Sequence, residues 1–232
     1  MLAISLSLGQ NADHDQTGSL AVGGGRDIAP IINELLALPF TLKIATRDLH
    51  PTDHISFATS HDPPNNVPFQ STIDAINPAD ITESLTIPLW PPHCVQGSQG
   101  AELIPEIEVS KFDRVVNKGR DRTLETFSGF ADVFGRKSSA SIDCDLAELL
   151  KSQNVTHVYT VGLAGDFCVK CTALDARKEG FEVLVIAEAV KSIDPGQSGW
   201  GKATEQMKAV GIHIVDFHGP EIGQIRQLSQ HT

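Results

Sequence analysis

A chain of 232 residues with 41% hydrophobic content carries enough apolar material for one full core. Its formal net charge of -11 would be repelled by a phosphate backbone, which argues against nucleic-acid binding. No apolar run approaches the roughly 20 residues of a membrane helix, and four cysteines do not make a disulfide scaffold, so a reduced, cytoplasmic setting is expected.

Residues 2–8 (LAISLSL) alternate apolar and small polar side chains and predict a first strand. With no basic flank and no clear cleavage site, the segment does not read as a signal peptide. The glycines of 18–25 (GSLAVGGG) fit neither a dinucleotide fingerprint nor a phosphate-cradling loop, and they read as a turn into a helix. From Asp27, DIAPIINELLAL places apolar residues at helical spacing, with Asp27 as N-cap and Pro30 near the first turn. A second strand is expected at 41–46 (TLKIAT). Residues 51–92 are proline-rich and predict a long irregular segment that walls or covers a site.

Further strands are expected at 112–118 (FDRVVNK), 156–163 (THVYTVGL), 181–190 (FEVLVIAEAV) and 212–217 (IHIVDF). The helical patterns lie at 143–154, 166–179 and 201–211. The middle strands lack polar alternation, as parallel strands buried on both faces do. Strands and helices alternate throughout, which predicts an α/β fold with a mostly parallel sheet and helices on both faces. No boundary is visible, so residues 1–232 are expected to form one domain. In such sheets ligands collect at the carboxyl ends of the strands. The segments after 41–46, 112–118 and 156–163 should therefore meet in one crevice.

Cys168 follows one of those strands and opens a helix, where free N–H groups and the helix dipole favour a thiolate nucleophile. Asp48 and His50 are two apart, so on extended backbone they share a face and make a natural pair of metal ligands. His93 in the PPHC stretch would complete a nitrogen- and oxygen-rich set, and His54 would join or support it. Such a set suits zinc, iron or manganese. Lys118 ends a strand, where its ammonium would stabilise a neighbouring thiolate. Cys168 and Cys171 also form a C-x-x-C pair. The redox reading of that pair is disfavoured because no proline separates the cysteines, and Cys171 reads as a packing residue.

Four segments in order, RDLHPTDHISF, WPPHCVQGSQGAEL, VVNKG and VGLAGDFCVKCTALDA, resemble the nicotinamidases, a branch of the isochorismatase-like cysteine hydrolases. The resemblance runs from about residue 18 to 217. It implies a three-layer sandwich with a six-stranded parallel sheet, and the conversion of nicotinamide to nicotinate and ammonia through a cysteine thioester. Under it, Cys168 is the nucleophile and Lys118 the triad lysine. Asp48, His50 and His93 hold one divalent metal, zinc before iron or manganese, and His54 is a further ligand in some members. The N–H groups of Ala164 and Cys168 form the oxyanion hole, with a cis peptide before the alanine. Trp90, Phe127 and Phe167 line the ring pocket. The resemblance leaves the oligomeric state open.

Two positions depart from the pattern. The family's third triad member is an aspartate at the end of the first strand, and here Leu8 holds that place, with Asp13 in place of a pocket phenylalanine. A missing carboxylate removes the general base and commonly costs several orders of magnitude in rate. The departure leaves three readings: a weak or inactive relative that still binds nicotinamide or a related pyridine, an altered N-terminus, and, least favoured, Asp13 or Asp15 serving as base.

Overall fold

The computed structural model describes residues 2–7 and 18–228. Six strands build one parallel sheet: β1 (Leu2–Ser7), β2 (Leu42–Asp48), β5 (Arg114–Lys118), β6 (His157–Gly162), β7 (Glu182–Val190) and β8 (His213–Val215). Their order across the sheet is β5-β2-β1-β6-β7-β8. The helices are α1 (Ala29–Leu36), α2 (Leu146–Ser152), α3 (Lys170–Lys178), α4 (Lys202–Ala209) and α5 (Pro220–Leu228).

The sheet is covered on both faces, which explains the missing polar alternation. In β7, Leu184 and Ile186 join α1 and α5 in one core, through Ile32, Leu36, Ile222 and Ile225. Val183 and Val185 point the other way and join Leu146, Ala173 and Met207 of α2, α3 and α4. Successive strand residues alternate between two apolar layers rather than between core and water. No helix among the described residues is long and apolar enough to cross a membrane.

Two local expectations need correction, and one element is added. The long segment after β2 is not irregular throughout, because β3 (Thr72–Asn77) and β4 (Asp80–Pro88) pair as an antiparallel hairpin. Asn77 is opposite Asp80, leaving Pro78 and Ala79 as the turn. The strand is hard to read because β4 is exposed along nearly its whole length, so burial imposes no apolar pattern on it. Asp27 does not cap α1: a 3-10 turn at Gly25–Ile28 precedes the helix, and Ile28 holds the cap position without a side-chain bond. The closing helix α5 was not anticipated, although Ile222 and Ile225 have the three-residue spacing that buries them both.

The site follows from topology. Strands β2 and β5 are neighbours, and their last residues, Asp48 and Lys118, stand directly opposite one another. Strand β6 ends at Gly162 and leads into Ala164 and a π-helical turn at Gly165–Val169 that feeds α3. All these ends lie at the carboxyl edge of the sheet.

Candidate active site

Lys118 is among the largest fully buried side chains, at 1% exposure. Burying an ammonium is costly unless each proton finds an acceptor. Its three protons do: Nζ donates to the Asp48 carboxylate, to the Thr126 carbonyl at 3.0 Å and to Cys168 Sγ at 3.4 Å. Burial pulls its pKa down. Asp48, Cys168 and Glu125 together outweigh that pull and hold it well above the ordinary lysine range. The group is a fixed cation, and it favours negative charge on the sulfur it touches.

Cys168 lies in the π-helical turn rather than at the first turn of a regular helix. The turn is pinned from several sides. The Gly165 N–H donates to the Lys191 carbonyl at 2.8 Å, and the Phe167 and Val169 N–H groups both donate to the Ala164 carbonyl at 3.1 Å. The Asp166 carboxylate accepts from Ile193 N–H at 3.1 Å and Asp194 N–H at 2.9 Å, tying the turn to the loop after β7. Gly165 is required by close approach, since a Cβ there would lie 2.4 Å from Ser192 Oγ. The Leu163–Ala164 peptide is cis. Ala164 and Cys168 line the same small pocket.

Asp48, His50 and His93 each bring a ligand atom within 4.8 Å of the others. Two short bridges carry His93 to this place. The His50 N–H donates to the Cys94 carbonyl at 2.9 Å, and Gln96 N–H donates to the His50 carbonyl at 2.8 Å. Farther along, Ala58 and Trp90 are joined in the same way. The WPPHC stretch is thus zipped onto the segment after β2. His50 Nδ1 donates to the Gly119 carbonyl at 2.8 Å and His93 Nδ1 to the Pro91 carbonyl at 2.9 Å. A carbonyl only accepts, so both tautomers carry the proton on Nδ1 and leave Nε2 as a lone pair. Burial, then His54, His93 and Lys118, hold His50 well below the ordinary imidazole range. Burial also lowers His93, against the Pro91 carbonyl, Asp48 and Glu125. Two neutral imidazoles and a carboxylate are a donor set that fits a divalent zinc-like ion.

His54 does not join that set. Its ring lies 4.2 Å from that of His50, tilted by 39°, but Nε2 donates to the Leu124 carbonyl at 3.1 Å and Nδ1 meets the Ser56 hydroxyl at 2.8 Å. Both nitrogens are engaged elsewhere, and His54 is not part of the Asp48/His50/His93 cluster.

Trp90, Phe127 and Phe167 form an aromatic wall, with ring centroids 5.1 Å apart for Trp90–Phe167 and 5.6 Å for Phe127–Phe167. Leu20, Val22 and Ile193 add apolar lining that sequence reasoning missed. It also missed Glu125 and Thr126. Glu125 is a pocket carboxylate at 3% exposure whose Oε1 accepts from the Thr126 N–H at 2.7 Å. Neither residue belongs to a motif with a readable spacing; the only hint is an acid in the stretch that follows Lys118. Leu8, Asp13 and Asp15 lie outside the described residues. All four cysteines are free thiols, so Cys168 and Cys171 are not bridged.

The isochorismatase domain family matches residues 44–218, and the chain belongs to that family. Its relatives lie in the nicotinamidase branch. It is 37% identical over 198 residues to the nicotinamidase of Acinetobacter baylyi, covering 85% of each chain. It superposes on the yeast nicotinamidase bound to the inhibitor nicotinaldehyde with a TM-score of 0.85, at 29% identity, covering 93% of this chain and all of that one. A Pyrococcus horikoshii pyrazinamidase in complex with zinc gives a TM-score of 0.69 at 32% identity, with 93% and 98% covered.

Proposed function

We propose that this chain hydrolyses nicotinamide to nicotinate and ammonia, with Cys168 as nucleophile. The observation that carries the reading is the placement of the Cys168 sulfur 3.4 Å from the Lys118 ammonium, in one pocket with Asp48, His50 and His93. The nicotinamidase relatives support the same substrate. Asp48, His50 and His93 would hold one divalent ion, zinc in the first instance, which supplies a Lewis-acid anchor for the pyridine nitrogen.

The aromatic wall of Trp90, Phe127 and Phe167 gives the ring an apolar surface to lie against. With the ring held, the carbonyl carbon lies against the sulfur and attack becomes effectively intramolecular. The carbon–sulfur bond forms as the carbonyl π pair moves onto oxygen, where the Ala164 and Cys168 N–H groups receive it; each such donor is worth about 3–4 kcal/mol. As the oxyanion pair returns to carbon the carbon–nitrogen bond breaks, nitrogen leaves as ammonia carrying the proton that the Cys168 thiol gave up, and water cleaves the thioester to nicotinate and the free thiol. Lys118 keeps its charge throughout and steadies the sulfur. Residues 1–232 act as one catalytic domain, and the four reduced thiols suit a cytoplasmic setting.

A second reading is favoured by Leu8 alone: a metal-bearing binder of nicotinamide or a related pyridine, without turnover. One assay separates the two. Ammonia release from nicotinamide by the zinc-loaded chain, lost on chelation, supports the hydrolase; ligand binding without ammonia supports the binder. If Leu8 stands in for the missing base, Leu8→Asp raises the rate by orders of magnitude. An unchanged rate in that variant refutes the assignment of position 8.

A further inference from the structure

We propose that Thr126 is a substrate-contacting residue whose hydroxyl accepts a hydrogen bond from the carboxamide N–H, an inference that rests on the amide-hydrolase reading above. Thr126 lines the pocket and is 1% exposed. Five buried side-chain atoms among the described residues have no hydrogen-bond partner, and of these Thr126 Oγ1 alone belongs to a residue lining this pocket. A buried hydroxyl left unpaired is costly, so its persistence at a binding site points to a ligand group that pairs with it.

The other polar groups here are largely committed. Lys118 has spent all three protons. Glu125 Oε1 is engaged by the Thr126 N–H, and the Nδ1 atoms of His50 and His93 are engaged by carbonyls. A carboxamide brings one acceptor and two N–H donors. Its oxygen is matched to the Ala164 and Cys168 amides, and its nitrogen still needs acceptors. The Thr126 hydroxyl supplies one, on the same residue whose carbonyl holds Lys118 beside the sulfur. The contact favours the carboxamide over the aldehyde of the same ring, which carries no N–H.

Two variants test this with the zinc-loaded full chain. Thr126→Val removes the hydroxyl at nearly constant shape, and Thr126→Ser keeps it. The expected result for Thr126→Val is a fall in kcat/KM for nicotinamide of about 3- to 10-fold, the worth of one neutral hydrogen bond. The inhibition constant of nicotinaldehyde should stay within about twofold, and Thr126→Ser should retain most of the wild-type kcat/KM. An equal loss for both ligands means a packing role and overturns the proposal, as does no loss for nicotinamide. Wild-type protein that releases no ammonia defeats the hydrolase reading instead. The comparison then passes to calorimetric binding of the same two ligands, where a selective loss for nicotinamide still supports the contact and a parallel or absent loss still overturns it.

Discussion

Cys168 and Cys171 are three residues apart and face different cavities. Cys168 opens into the pocket with Lys118 and the Asp48/His50/His93 cluster. Cys171 opens into a separate groove with Leu85, Ser128 and Leu174, and Phe127 stands between the two cavities, lining both. One sulfur touches an ammonium at 3.4 Å, whereas burial pushes the Cys171 thiol up from its ordinary pKa. Reactivity here is set by what the chain brings from elsewhere, namely the end of β5, and not by the C-x-x-C spacing.

The strongest way to break that contrast is to delete each thiol. Cys168→Ala should cost about four orders of magnitude in ammonia release or more, while Cys171→Ala should leave the rate within about twofold, measured side by side on zinc-loaded protein. Comparable losses would mean that the pair acts jointly. Removing the cation should come next. Lys118→Met removes the ammonium that donates to the Asp48 carboxylate, and we expect a loss of up to about 3–5 kcal/mol in unfolding free energy together with a large fall in rate. Denaturant titration checks the first part; a stability equal to wild type would show that the ion pair is solvated.

Alkylation sharpens the comparison further. At pH 7 iodoacetamide should label Cys168 at least about tenfold faster than Cys171, since burial raises the Cys171 thiol above its ordinary pKa and keeps it protonated. Peptide mapping over time reads both sites, and equal rates would contradict the environments described. The two neighbouring histidines give a parallel contrast of smaller effect. His93→Ala should lose bound zinc by elemental analysis, and His54→Gln should keep one ion per chain with affinity reduced by about tenfold to a hundredfold at most.

Much of this was legible in the sequence, for physical reasons. Strands β6 and β7 are buried on both faces, so their apolar runs announce themselves. Asp48 and Lys118 fall at strand ends and Cys168 in the turn after a strand, where α/β sheets place their ligands. The hairpin was missed because water, not a core, faces most of it: Ile81 is 83% exposed and nothing fixes its neighbours' polarity. The status of His54 was hidden because it depends on Ser56 and the Leu124 carbonyl, one local and one 70 positions away. Glu125 and Thr126 were hidden because a buried polar residue in a loop differs from an exposed one only through its tertiary partners.

Gly119 gives the site its tolerance limits. It holds a φ of +66° that L side chains avoid, and a Cβ there would lie 2.4 Å from the His50 ring. Its carbonyl fixes the His50 tautomer, while its own amide bond joins it to Lys118. A single backbone unit therefore acts as a rigid coupling between the sulfur's counter-ion and one member of the candidate metal cluster. Any shear at that strand tip would detune both together, so the two functions cannot drift apart independently under mutation.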